Sequence, residues 1–131
     1  MGLPPDSTSD SAGYGRRREF MAVKIPVVEG VDDRWHQREE RIDELLRARG
    51  IGSVLGWGDS LGDALPGGPR RVAFIRVDID VSDIAAGRVL LQAALPGIGL
   101  PPGTEIHYSI GRLRFADIYA PPDWLQERPQ A

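Results

Sequence analysis

The sequence predicts an α+β fold in which one antiparallel sheet carries two helices on one face. The stretch R-V-A-F-I-R-V-D-I-D-V at 71–81 places β-branched residues at every second position, which is typical of a strand with one face in a core. Two amphipathic stretches, at about 34–49 and 83–95, have helical spacing, and alternating stretches flank them. With 131 residues, the chain has the length of one domain.

The first predicted strand is F-M-A-V-K-I-P-V-V at 20–28, with Pro26 near its end because proline gives no amide donor to a sheet. The first helix is predicted to begin after an N-cap at Asp32 or Asp33. It is predicted to end at Gly50, since glycine favours the left-handed conformation of a helix stop. Its apolar stripe predicts burial of Trp35, Ile42, Leu45 and Leu46.

A second strand is predicted over 53–60, where internal glycines indicate a bulge or a close approach by another group. A turn over 61–70 leads from it into the alternating stretch. The second helix follows that stretch, and Ser82 or Asp83 is its predicted N-cap.

Residues 104–110 are predicted as a fourth strand, and residues 112–119 either continue it or form a fifth. The element order β-α-β-β-α-β matches the ferredoxin-like plan, in which right-handed crossovers place both helices on one face of the sheet. The other face is then open unless the termini or a partner cover it. The side chains of the fourth strand expected to face the core are Ile106, Tyr108 and Ile110.

The domain is predicted to span 19–120. Residues 1–18 are rich in Pro, Ser, Gly and Asp and predict a flexible arm, since they bury too little apolar surface to offset their ordering entropy. Residues 121–131 are predicted to be a polar tail, from which Trp124 and Leu125 are expected to pack back on the domain.

Composition excludes several classes of function. The chain has no cysteine, which rules out disulfides, thiolate metal sites and cysteine nucleophiles. A net charge of −3 disfavours non-specific binding to nucleic acid and to anionic membranes. No apolar run approaches the ~20 residues of a membrane span, and the N-terminus lacks the apolar core of a signal peptide. We therefore expect a soluble cytoplasmic protein.

The chemically active residue types form no recognisable catalytic motif. Asp78 and Asp80 share one face of a strand and resemble half of a divalent-cation site, but no third acid or phosphate-binding lysine accompanies them. His36 and His107 occur in no metal-binding or triad spacing. The glycines over 50–58 follow a helix, whereas a phosphate loop opens one. We expect no catalytic residue, metal or cofactor.

The open sheet face is the remaining candidate site. Exposed aromatic side chains among mixed charges suit a protein–protein contact, in which Trp, Phe and Arg supply most of the binding energy. An alternative, in which the N-terminal arm or the 112–125 segment covers this face, stays open. The predicted partner-binding residues are Trp57, Asp59, Asp63, Phe74, Arg76, Asp78, Asp80, Asp83 and His107.

Three further segments are G-S-V-L-G-W-G-D-S-L-G, R-V-A-F-I-R-V-D-I-D-V and L-P-P-G-T-E-I-H-Y, within residues 50–108. Together they resemble small bacterial ferredoxin-like proteins of the kind often found as immunity proteins of toxin systems. Those proteins carry the pattern G-x-x-x-G-G-G, and Trp57 occupies the position of its middle glycine. The resemblance implies a ferredoxin-like domain without catalysis.

The expected function is that of a non-enzymatic protein that binds and neutralises a cognate toxin, with acidic side chains facing a basic partner around Trp57. The alternative is a homodimeric regulator or enzyme whose two sheets enclose a small-ligand pocket lined by Trp57, Phe74 and His107. RNA binding through Phe20 and Phe74 is a third hypothesis, which the acidic balance of the chain disfavours.

Overall fold

The computed structural model of the protein describes residues 18–27, 37–64 and 70–130. The described residues form six strands and two α-helices, which confirms the α+β class. A short 3-10 helix, Leu95–Ile98, follows the second helix directly. The elements are β1 (Glu19–Pro26), α1 (Gln37–Ala48), β2 (Gly52–Ala64), β3 (Arg70–Val81), α2 (Ile84–Ala94), β4 (Glu105–Ile110), β5 (Leu113–Ala120) and β6 (Asp123–Gln130).

The six strands form one sheet in the order β2-β3-β1-β4-β5-β6, and every neighbouring pair is antiparallel. Residues 113–120 are a separate fifth strand, so the alternative of a continued fourth strand is wrong. The chain reverses between β4 and β5 at Gly111, whose φ of 63° lies in the left-handed region that glycine adopts readily. The β4–β5 and β5–β6 pairs therefore widen the sheet beyond its first four strands.

The alternation predicted for β1 and β3 is confirmed by burial. Met21, Val23 and Ile25 of β1 are fully buried, and so are Val77, Ile79 and Val81 of β3. These side chains pack with Ile42 and Leu46 of α1 and with Leu90 and Leu91 of α2. Both helices therefore cover the same face of the sheet, and burial of this apolar surface is the main stabilising term of the fold. The fully buried residues named here are Met21, Val23, Ile25, Ile42, Leu46, Val77, Ile79 and Val81.

One core prediction is wrong. Ile110 was expected to face the core with Ile106 and Tyr108, but its side chain is 51% exposed. Ile110 is the last residue of β4 and pairs with Leu113 across the turn, where the sheet extends beyond the helices. The apolar alternation continues past the end of the core, so the pattern alone overestimates its length.

The helices lie within their predicted ranges. Asp83 is the N-cap of α2, and its carboxylate accepts a hydrogen bond from the amide of Ala85 at 3.1 Å. The predicted caps Asp32 and Asp33, together with Trp35 and His36, lie outside the described residues. No helix in the described parts of the chain has the length and apolar character needed to cross a bilayer.

The predicted C-terminal tail is instead strand β6, which pairs with β5 along Asp123–Gln130. Trp124 packs against Tyr119 in a tilted arrangement with 5.1 Å between the ring centroids, and its indole nitrogen donates to the carbonyl of Gln92 at 3.1 Å. The sequence did not predict this strand because it lies at the sheet edge, is mostly exposed, and contains Pro129. Of the predicted N-terminal arm, residues 1–18, only Arg18 lies within the described residues.

Candidate functional site

The sheet face opposite the helices is the candidate site and is called the open face below. Strand registers identify its members, since residues paired across neighbouring strands share a face. The open face comprises Phe20, Ala22, Lys24, Ser53, Gly56, Gly58, Phe74, Arg76, Asp78, Asp80, Glu105, His107, Ser109, Arg114, Ala116, Ile118, Leu125, Arg128 and Gln130.

In the described parts of the chain, neither helix packs over the open face. Strands β5 and β6 extend the sheet sideways and do not fold across it. The alternative in which residues 112–125 cover this face is therefore wrong. The alternative cover, the N-terminal arm, lies outside the described residues except for Arg18. Phe20 of the central strand β1 remains 51% exposed on this face.

Charged side chains of the open face are arranged in local pairs. The guanidinium of Arg76 donates to Asp78 at 2.7 Å, Arg18 is paired with Asp80, and Nε2 of His107 lies 2.6 Å from a carboxylate oxygen of Glu105. These pairs are partly exposed and contribute little to stability. The two arginine–aspartate pairs hold both signs of charge in fixed positions across the face.

Two cations of the open face also contact aromatic rings. The ammonium of Lys24 lies 4.8 Å from the centroid of the Phe74 ring, and the Arg76 guanidinium lies 5.7 Å from that of Phe20. Such contacts are worth about 0.5–1 kcal/mol at exposed sites. They orient the two aromatic side chains and their cations together.

A groove of about 480 Å³ lies at the centre of the open face. Ala22 is 1% exposed and forms part of its lining, with larger side chains around it. Among the described residues, the lining combines aromatic and cationic groups and includes no carboxylate. It is made by Phe20, Ala22, Lys24, Arg76, His107, Tyr108, Ser109, Arg114, Phe115 and Gln130.

His107 is the ionisable group at the middle of this groove. Burial lowers the pKa of its imidazole from the usual 6.5, and the opposing attraction of Glu105 is too small to restore it. Lys24 and Arg76 lower this pKa further through their positive charges. The ring is therefore neutral at pH 7 and serves as a hydrogen-bonding group, with Glu105 as its partner.

Trp57 does not belong to the open face, which corrects the predicted grouping. The register between β2 and β3 shifts between Val54 and Gly56, and this bulge leaves Leu55 without a direct partner. After the shift, Trp57 pairs with Val77, and Val77 is buried beneath the helices. Trp57 and Asp59 therefore lie on the helix side of the sheet, opposite to Phe74 and His107. One extra residue reverses the face of all that follow it.

The five acidic residues predicted to meet a basic partner do not form one patch. Asp78 and Asp80 are paired with arginines of the open face, and Asp83 caps α2. Asp59 lies on the other side of the sheet, and the side chain of Asp63 lies outside the described part of the structure. Phe74, Arg76, Asp78, Asp80 and His107 are the predicted residues that the fold does bring together.

Replacing Asp83 with alanine is expected to cost about 1 kcal/mol of folding free energy, because the amide of Ala85 loses its acceptor. Asp83→Asn retains an N-cap oxygen and should cost only a few tenths of a kcal/mol. Urea denaturation followed by circular dichroism measures both. Equal destabilisation by the two substitutions would contradict the capping role.

A second polar cluster, centred on Asp117, is absent from the sequence-based predictions. Asp117 on β5 is fully buried on the helix side of the sheet and accepts five hydrogen bonds. The Arg88 guanidinium gives two of them, at 2.7 and 2.9 Å, and the others come from Gln92 at 2.8 Å, the Tyr108 hydroxyl at 2.8 Å and the Glu127 amide at 2.9 Å. This cluster joins α2 to the β4, β5 and β6 strands.

The sequence does contain a signal for this cluster. In the alternation of L-R-F-A-D-I-Y, Asp117 falls on the same face as Phe115 and Tyr119, which predicts a buried carboxylate. Arg88 and Gln92 are four residues apart and therefore share one face of α2. Every oxygen of Asp117 is used internally, so the cluster is a structural clamp.

Within the described ranges, no group of three or more His, Asp or Glu side chains is placed to hold a metal ion. Comparison of the chain with protein-family models, curated proteins and solved structures finds no match. The open face is consequently interpreted from its own geometry.

Proposed function

We propose that the chain is a non-enzymatic protein-binding protein that contacts its partner through the open face. The half-exposed Phe20 ring carries this proposal, because it lies at the centre of a face that neither helix covers in the described chain. Arg76 lies against Phe20, and Arg114 lines the same groove. Aromatic and arginine side chains with charged neighbours are the usual centres of binding energy at protein interfaces.

We further propose a ferredoxin-like core and a role as a cytoplasmic immunity protein that neutralises a cognate toxin. The order β2-β3-β1-β4 of the first four strands, with a helix in each crossover, supports the ferredoxin-like assignment, and β5 and β6 are additions to it. The resemblance of residues 50–108 to immunity-type proteins supports the role. Partner contacts are assigned to Phe20, Phe74, Arg76, Arg114 and His107.

A homodimeric small-ligand-binding regulator or enzyme is the second candidate, and the 480 Å³ groove favours it. Because Trp57 lies on the helix side, the pocket of this candidate would be lined by Phe20, Lys24 and His107. A screen of small anionic metabolites by thermal shift tests it. A melting temperature raised by a ligand in the wild type and unchanged in Lys24→Ala would support this candidate.

Affinity capture from the native host tests the proposed partner binding. The wild-type chain is expected to retain a protein that the Phe20→Ala, Arg76→Glu double variant loses, while both baits keep the same melting temperature within a few degrees. The matched control is Arg41→Glu, which makes the same charge change on the exposed surface of α1. Retention of the same protein by the open-face variant would contradict the proposal.

The immunity role has its own test. The gene of the captured protein is expressed alone and together with this chain in a heterologous bacterial host. Growth arrest by the captured protein, relieved by the wild type and not by the double variant, is the expected result. A captured protein without toxicity would leave protein binding standing and contradict the immunity role.

A further inference from the structure

We infer that the open face binds a second copy of this chain about a two-fold axis. The axis is parallel to the strands and lies just above the open face, over the boundary between β1 and β4. These are the two central strands of the sheet, with β2 and β3 on one side and β5 and β6 on the other. Rotation about this axis lays two open faces together and places β1 opposite β4 of the second copy. It likewise places β3 opposite β5. Such an isologous contact requires a face that is complementary to itself.

The charges of the open face meet this requirement. Lys24 and Glu105 are paired in the β1–β4 register, so the rotation places Lys24 of each copy opposite Glu105 of the other. Asp80 pairs with Phe20, and Arg114 pairs with Ser109. Continuing the β1–β4 register two residues beyond the Ala22–His107 pair sets Phe20 beside Ser109, so Asp80 comes to lie opposite Arg114 of the second copy. Opposite charges therefore meet in both rows, which favours this arrangement.

The sizes of the side chains are complementary in the same rows. Ala22 pairs with His107 in the register, so each His107 ring lies opposite the Ala22 floor of the other groove. Successive strand pairings place Gly58 of β2 and Leu125 of β6 at the same level along the strands. The rotation therefore places this glycine opposite the half-exposed leucine of the second copy. Small residues thus face large ones, as packing at an interface core requires.

The contact also covers apolar surface. Phe20 and Leu125 are 51% and 40% exposed, and both lie on rows that the second copy covers. The inference goes beyond the proposed partner binding and does not depend on it. It makes the second copy and the partner competitors for one face, so that the dimer has to dissociate before the partner binds.

Complementary charge variants test the contact. In sedimentation equilibrium at micromolar concentrations, the wild type is expected to be a dimer. Lys24→Glu and Glu105→Lys each place like charges opposite one another, and each should weaken association at least about tenfold. Mixing the two variants in equal amounts should restore a dimer. In the mixed dimer one of the two equivalent contacts has its charges exchanged and the other keeps the original Lys24 and Glu105, so opposite charges meet at both.

The mixing result separates a contact between copies from a loss of stability within one copy, which mixing does not repair. Arg41→Glu on α1 serves as the control and is expected to remain dimeric. A monomeric wild type, a dimer that neither charge variant weakens, or a mixture that stays monomeric would each overturn the inference. Partner capture by a monomeric wild type would refute the dimer and leave the proposed function intact. A wild type that is a dimer and captures no protein would support the dimer and contradict the proposed partner binding.

Discussion

Replacing Asp117 with asparagine is expected to lower the free energy of unfolding by about 3–5 kcal/mol. The substitution preserves the shape of the side chain and removes the negative charge that faces Arg88. The Arg88 side chain is only 15% exposed, and its other acidic contact, Glu127 at 3.7 Å, is 58% exposed, so the buried guanidinium would lose its main counterion. Domains of this size are stable by about 5–15 kcal/mol, so the variant should be marginally folded.

Urea denaturation of Asp117→Asn beside Asp123→Asn measures this effect. Asp123 is an exposed carboxylate at the start of β6, and its replacement should change stability by less than about 0.5 kcal/mol. The Arg88→Met, Asp117→Leu double variant removes both charges and is expected to be more stable than Asp117→Asn. If Asp117→Asn unfolds at the same urea concentration as the wild type, the clamp has no role in stability.

The loss of folding stability in acid is expected to depend on protonation of Asp117. Burial by itself raises the pKa of Asp117, but the hydrogen bonds from Arg88, the Glu127 amide, Tyr108 and Gln92 outweigh it and hold this pKa below the usual 3.8. A depressed pKa in the folded state contributes stability above pH 3.8 that is lost as the pH falls through the folded-state pKa. The wild type should lose stability in that window, and Asp117→Asn should show a flatter profile there.

Replacing Gly52 with alanine is expected to destabilise the fold by about 2–3 kcal/mol. A Cβ atom at Gly52 would overlap the backbone carbonyl oxygen of Asp80 on the neighbouring strand and lie 3.0 Å from the carbonyl carbon. No side-chain rotation relieves this contact, because both groups belong to paired strands. The strands β2 and β3 would have to separate locally, with loss of ladder hydrogen bonds.

Gly97→Ala in the short 3-10 helix is the control, since a Cβ atom there would meet nothing within 4 Å and the position lies away from the open face. It is expected to leave stability unchanged or to raise it by some tenths of a kcal/mol, because alanine restricts the unfolded chain more than glycine does. Thermal unfolding of the two variants compares the same chemical change at a closed and an open position. Equal melting temperatures would refute the close approach at Gly52.

The elements with a strong internal pattern could be predicted from the sequence, and those defined by their neighbours could not. The period of two in β1 and β3 follows from a face buried under helices, so Met21 and Val77 were assigned correctly. Strand β6 has no such pattern, because β5 is its one neighbour among the described strands and most of its side chains are exposed. Its position depends on the Asp117 clamp and on Trp124, both of which involve residues distant in sequence.

The candidate site was predicted in part for a related reason. Phe74, Arg76, Asp78 and His107 share a face because each lies on a strand with an uninterrupted alternation. Trp57 was misassigned because a bulge at Leu55 adds one residue to β2, and glycine-rich sequence indicates a bulge without fixing its position. Arg114 was not predicted because its strand pairing depends on whether 112–119 forms a separate strand.

Photo-crosslinking from the open face tests its role as the binding surface most directly. The photoreactive residue p-benzoylphenylalanine is placed at Phe20 on the open face or at Val89, which is exposed on α2. After irradiation of the native host, adducts are identified by mass spectrometry. Position 20 should give an adduct to a second copy or to a partner protein, and position 89 should give none. Adducts from position 89 with none from position 20 would contradict binding through the open face.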